Sequence, residues 1–291
     1  MTVQEGSVQA SSGSVRRFRN LYSGNWTLWL ASAGLLLLLC LALFANSLPL
    51  RDPLALETGD RLKPPSAQYL GGTDEYGRDV LSRTVFASRV SLGVATVSVL
   101  IGLIAGMTIG IAAAYMGGAG DMTLMRGMDL LFSFPAILLA IIFVVTLGPS
   151  NLNTAVAIGI IFTPGFSRVA RAVTQSMLNE RFIDYARAIG TPPLRIITHE
   201  VLPNIWPPLL IQACVAMGYA IVLEGALSFI GLGVQQPQPS WGNMIDEGRG
   251  FLARAPWIVF VPSIALFLAV VSFNLLADAL RNEYEAALHR R

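Results

Sequence analysis

Long charge-free blocks alternate with polar connections along this chain. About twenty apolar residues are needed to cross a bilayer as a helix. Uncharged blocks of about that size run over 26–45, 90–115, 130–147, 152–167 and 256–277, and a further block, 205–233, carries one ionisable residue, Glu224. The pattern predicts an all-α integral membrane protein with six transmembrane helices. It divides the chain into an N-terminal tail (1–25), a first span (26–48), a long first loop (49–89) and a five-helix domain (90–280). That domain contains polar connections at 173–204 and 234–255, and a short tail (281–291) closes the chain.

The first block is longer than the apolar core of a signal peptide and no A-x-A pattern follows it, so it reads as a span. Arg16, Arg17 and Arg19 precede it, and the positive-inside rule then places the N-terminus in the cytoplasm. Six crossings return the C-terminus, with Arg281, Arg290 and Arg291, to the same side. Arg168, Arg171, Arg181, Arg187 and Arg195 also fall inside. Arg51, Arg61, Lys63, Arg78, Arg83 and Arg89 in the first loop run against the rule, as do Arg249 and Arg254. Pro49, Pro53, Pro64 and Pro65 argue against a long helix in that loop, whereas 79–89 suits a short helix leading into the second span.

The connection at 180–204 reads ERFIDYARAIGTPPLRIITHEVLPN. Ala186, Arg187, Ala188 and Ile189 are acceptable helix formers, and Gly190 suits the left-handed residue just past a helix end. Thr191 is a good N-cap and Pro192 fits the first position of a second short helix, which Pro203 would end or join to the fifth span. A helix, a tight corner and a helix are therefore expected. Such an element either lies on the bilayer surface or inserts its corner into a groove on a soluble partner.

Within the spans, Gly102, Gly106 and Gly110 recur every four residues and mark one side of a helix where another backbone can approach closely, in this chain or in another subunit. Pro135 and Pro164-Gly165 are candidate kinks. Glu224 should face protein or a water-filled cavity. It either lines a solute path with Ser228 or is a structural acceptor bonded to Ser228 one turn on.

Composition narrows the function. The chain is 54% hydrophobic and 13% charged, against roughly a quarter charged in soluble domains. A net charge of +2 gives no reason to expect nucleic acid as a partner. Cys40 and Cys214 lie inside apolar blocks, and His199 and His289 have no ligand spacing, so no metal site is expected. The single lysine, Lys63, is not preceded by glycine, so no phosphate-binding loop exists and any ATP is handled elsewhere. An intramembrane enzyme would need a cluster of catalytic groups, and only Glu224 is available. A secondary transporter would show inverted repeats, and none is evident.

Several motifs in order carry a resemblance over nearly everything after about residue 65. They are Gly72 through Arg83 (GTDEYGRDVLSR), Ser133-Phe134-Pro135, Arg168-Val169-Ala170-Arg171, and Asp184-Tyr185-Ala186 with Gly190 and Leu202-Pro203-Asn204. Further on come Glu224 with Leu227 through Gly233, Pro239-Ser240-Trp241-Gly242, and Phe273-Asn274-Leu275-Leu276 with Asp278 and Leu280-Arg281. The chain resembles the C-type permease subunits of binding-protein-dependent ABC importers for dipeptides, oligopeptides and related solutes such as nickel complexes or glutathione.

The resemblance implies the six-helix ABC importer permease fold with both termini cytoplasmic. It also implies a coupling loop that receives force from an ATPase, carried here by Asp184, Tyr185, Ala186, Arg187, Ala188, Gly190, Thr191, Leu202 and Pro203. Asp184-Tyr185-Ala186 stands where the family usually has Glu-Ala-Ala. The implied partners are a second, homologous permease, two cytoplasmic ATP-binding subunits, an extracytoplasmic solute-binding protein and membrane lipid. ATP and magnesium would be held by the ATPases, with no cofactor on this chain.

Overall fold

The computed structural model describes residues 26–288, so the arginines of the first tail and His289 lie outside the described residues. Among the described residues the chain is helical, apart from one isolated antiparallel bridge between Thr73 and Asp79. The helices are α1 (Trp26–Phe44), α2 (Val80–Met116), α3 (Gly118–Phe132), α4 (Ala136–Leu147), α5 (Asn151–Leu178), α6 (Arg181–Ala188), α7 (Pro193–Ile196), α8 (Leu202–Phe229), α9 (Trp241–Gly248) and α10 (Trp257–Leu288). Among the described residues, five stretches are long and apolar enough to cross a membrane, and the pair α3 and α4 makes a sixth if the two count as one.

Helix α2 is longer than the expected second span because the predicted short helix joins it without a break. Asp79 starts it, its carboxylate accepting from the N–H groups of Leu81 (2.8 Å) and Ser82 (3.1 Å), as an N-cap does. The long first loop holds only a 3₁₀ turn at Thr58–Asp60, in keeping with its prolines. Arg89 closes the other end of α1 by donating to the carbonyls of Ala42 and Leu43 and to the Asn46 side chain.

The third block differs from its expectation. It is not one span over 130–147: the helix breaks at Ser133-Phe134-Pro135, and α3 and α4 meet at 90°. Pro135 lacks an N–H and its ring excludes the preceding turn. A helix of twelve residues such as α4 is about 18 Å long, short of the roughly 30 Å hydrocarbon layer.

The core is built on α2 against α5, the most extensive helix pairing in the molecule. A Cβ on Gly106 would lie 2.5 Å from the Phe166 Cβ, and one on Gly110 would lie 2.4 Å from the Ser167 carbonyl oxygen. Gly102 meets Phe162 in the same way at 2.8 Å. The glycine face is therefore filled within the chain, which leaves no room on it for a second subunit. Helix α8 packs on both of these helices, and α10 packs on α8 with α1 outside it.

Candidate functional site

The polar connection between α5 and α8 folds as a helical elbow. Helix α6 ends in a Schellman motif: the Thr191 N–H donates to the Ala186 carbonyl and the Gly190 N–H to that of Arg187, both at 3.0 Å. Gly190 sits at φ +76°, a backbone conformation that costs an L-residue roughly 1–2 kcal/mol. The second helix starts one residue later than the sequence predicts. Pro192, not Thr191, is its N-cap, and Pro193 takes the first helical position. A proline in each place suits the backbone, because neither position needs its N–H. Pro203 does not end a helix. Helix α7 passes through a π turn at Ile197–Val201 into α8, with Pro203 in its first turn and Pro207 and Pro208 further along.

One face of the elbow is anchored. Ile183, Ile196 and Val201 are buried in the core, together with Ile205 of α8. The other face carries Tyr185, Ile189 and Leu194, which are 73%, 82% and 71% exposed. Three large apolar side chains thus project from a polar segment on a framed corner. Asp184 and Arg187 flank them, 3.9 Å apart and both exposed.

The opposite end of the bundle holds a buried ion network. Arg78 Nε donates to Asp74 Oδ2 at 2.6 Å, and Arg83 Nη1 reaches the same oxygen at 2.7 Å. Both guanidinium groups also reach Glu247 Oε2 of α9, at 2.9 and 3.0 Å. Glu75 lies at the edge, 3.8 Å from Arg78. Burial pushes its carboxyl up to about 7, with the charges of Asp74 and Glu247 acting in the same direction. Burial raises Glu247 as well, with Arg78 opposing. The network clasps the first loop to α9 across more than 160 residues of sequence. Trp241 adds to the closure, fully buried with its indole N–H donating to the Thr84 carbonyl at 3.1 Å.

Glu224 lies just beneath that clasp. It is fully buried, and its Oε1 accepts from the Ser228 hydroxyl at 2.7 Å. Ser228 in turn accepts from the Val234 N–H, which ties down the irregular segment that follows α8. Hydroxyls of Ser91 and Ser240, from α2 and the cap of α9, face the same carboxylate. Helix α9 crosses so closely that a Cβ on Gly242 would meet the Gly225 carbonyl oxygen at 2.3 Å. Among the described residues both side chains are buried, Glu224 fully and Ser228 at 2% exposure, and the Ser228 bond is the one the structural-acceptor reading expects, although Glu224 Oε2 is buried without a hydrogen-bond partner.

A hollow of about 380 Å³ does open elsewhere, where α3 and α4 break beside α5 and α8. Gln212 and Tyr219 line it, and no sequence motif marks either. Their signal was faint: two polar side chains seven residues apart on one face of an otherwise apolar helix.

Residues 106–287 match the family described as binding-protein-dependent transport system inner membrane component. A dipeptide transport system permease protein, DppC, of Alkalihalophilus pseudofirmus is 41% identical over 256 residues, covering 87% of this chain and 84% of that protein. A glutathione transport system permease protein, GsiD, of Pectobacterium atrosepticum is 38% identical, covering 88% and 86% respectively. Among solved structures, an inward-facing conformation of the MetNI methionine ABC transporter aligns with a TM-score of 0.55 at 17% identity. The alignment covers 69% of this chain and 95% of that one, a likeness of fold.

Proposed function

We propose, from the premise that this chain belongs to the family of binding-protein-dependent transport system inner membrane components, that it forms half of a peptide-conducting pathway and is driven through its elbow. It is a permease subunit of an ABC importer and a multi-pass inner membrane protein, and it works inside a transporter complex. The remaining assignments are ours. Its termini and elbow lie in the cytoplasm. It pairs with a second, homologous permease, two ATP-binding subunits and an external solute-binding protein. ATP and magnesium are bound by the ATPases, and this chain carries no cofactor.

The observation that carries the reading is the exposed trio Tyr185, Ile189 and Leu194 on an anchored corner. An apolar projection from a polar loop loses free energy in water unless a partner covers it. A groove on an ATPase would cover it, and movement of that groove would pass through the elbow into α8. ATP and the loaded binding protein then bias one two-state membrane element from opposite sides. We assign a dipeptide cargo because the relative that matches at 41% identity is named for dipeptide transport.

The test uses the complete importer. A cysteine introduced by Ile189→Cys should crosslink to an ATPase subunit in inside-out vesicles and resist impermeant labelling from outside intact cells. Labelling from outside would overturn the docking role. Uptake of a labelled dipeptide, challenged with excess unlabelled glutathione, checks the cargo. Complete displacement by glutathione would overturn the dipeptide assignment.

A further inference from the structure

The hollow beside the broken helix holds more than its depth. Ser133 caps the end of α3, its hydroxyl donating to the Leu130 carbonyl at 2.7 Å. The next helix has no such device. Its N-cap is Pro135 without a side-chain hydrogen bond, and its first backbone bond runs from the Leu139 N–H to the Pro135 carbonyl. The N–H groups of Ala136, Ile137 and Leu138 are thus left without helical partners. Open backbone of this kind is tolerated at membrane depth only against protein or beside a water-filled cavity. The hollow, lined by Ala136 itself, supplies the second condition.

Its walls are chemically selective. Phe132, Phe134, Phe162 and Phe166 supply aromatic surface, and the polar groups on α8 are Gln212 and Tyr219. No charged side chain among the described residues lines the hollow. The side chains of Gln212 and Tyr219 make no hydrogen bond to other described residues, so a donor-and-acceptor amide and a hydroxyl are free for a ligand. Gln212, Val215, Ala216 and Tyr219 follow a spacing of three, four and seven, which is one face of α8. Glu224, twelve residues beyond Gln212, lies about 120° away around the helix and belongs to the joint beneath the clasp.

We infer that this hollow is the cargo subsite on this chain's half of the pathway. It takes one uncharged aromatic or aliphatic side chain of a peptide, while Gln212 and Tyr219 hydrogen-bond the peptide's amide groups. A volume of about 380 Å³ stands at the small end of ligand pockets, which suits one side chain and its adjoining amide better than a whole oligopeptide. The absence of fixed charge keeps binding weak, as a site that must release its cargo on each cycle requires. The inference rests on the peptide-permease reading above.

The complete importer, reconstituted with its binding protein and ATP, tests it. A dipeptide of benzoylphenylalanine and alanine is photoactivated during turnover, and the labelled residues are read by mass spectrometry. Label within 131–139, 161–166 or 212–219 is expected, and label confined to other parts of this chain overturns the assignment. As a second measurement, Ala136→Trp should fill the hollow and lower the ratio of Phe-Ala to Gly-Gly uptake by roughly tenfold, the scale of one lost apolar side-chain contact. Co-purification of the subunits confirms assembly, and an unchanged ratio in the assembled variant counts against the subsite. If the unmodified importer takes up neither dipeptide, the cargo reading itself has failed. Normal uptake without label in the hollow removes only this inference.

Discussion

The two ends of the helix bundle are finished in opposite ways. At the clasp, charge is buried: Arg83 and Asp74 are each 2% exposed, and their bonds connect segments that are remote in sequence. At the elbow, apolar surface is exposed, and the ion pair there is a local one between two solvated side chains. The clasp draws its main ion-pair partners from within the chain, although Glu75 Oε2 and Arg83 Nε are buried without a hydrogen-bond partner among the described residues. The elbow leaves unsatisfied what only another surface can cover. A buried charge network loses heavily when one member goes, whereas an exposed apolar corner loses little stability. The contrast separates the part that holds the fold from the part that we propose transmits force.

Breaking the clasp gives the largest expected effect. Arg83→Met removes a partner from both Asp74 and Glu247 and leaves buried charge uncompensated, at a cost of about 3–5 kcal/mol. Thermal unfolding of the detergent-solubilised protein should report it as a large drop in midpoint. Next comes the elbow. Gly190→Val places a β-branched residue at φ +76° and adds strain of about 1–2 kcal/mol confined to the corner. The protein should still insert into the membrane, while dipeptide uptake per ATP hydrolysed falls steeply in the reconstituted importer. Preserved coupling would erase the contrast between the two ends.

Two smaller changes sharpen it. With all groups ionised, the clasp sets three carboxylates (Asp74, Glu75, Glu247) against two guanidinium groups, so a proton on Glu75 balances it. The Glu75 carboxyl titrates near 7 in the fold against an ordinary value of 4.5, so the folded state binds that proton more tightly. Its stabilising contribution is complete below pH 4.5 and is lost as pH rises towards and through 7. Glu75→Gln should flatten the dependence of the unfolding midpoint on pH across that window. Smallest of all, Arg187→Ala breaks a solvated pair and should shift stability by at most about 0.5 kcal/mol, within the scatter of a melting curve.

The spans were legible because membrane depth demands long uncharged runs, and the Gly190 corner because few residues tolerate its backbone. The glycine stripe gave its spacing, although only the structure identified α5 as what it meets. Pro135 was visible as a kink, but its size was not. A proline says that a turn is lost, and the neighbouring helices decide where the chain goes next. The cap of α7 shifted from Thr191 to Pro192 because adjacent prolines offer two workable frames. Arg78 and Arg83 stood inside a recognisable motif, yet their partner Glu247 lies on another helix far along the chain, and no local pattern marks it. Ser228 was found as the neighbour of Glu224 because it is one turn away. Ser91 and Ser240 come from other elements and were not. Gln212 and Tyr219 stayed hidden because two polar residues barely perturb the mean hydropathy of a span.

The π turn at Ile197–Val201 carries one residue more than an α-helical turn of the same span. Each residue of an α-helix advances by about 100°, so this extra residue fixes the azimuth at which the elbow points relative to everything on α8. Deleting one residue there would let an ordinary helix form and leave every side chain intact, yet Tyr185, Ile189 and Leu194 would swing about a quarter-turn round the bundle. The apolar trio would then be intact, but aimed away from the surface we propose covers it.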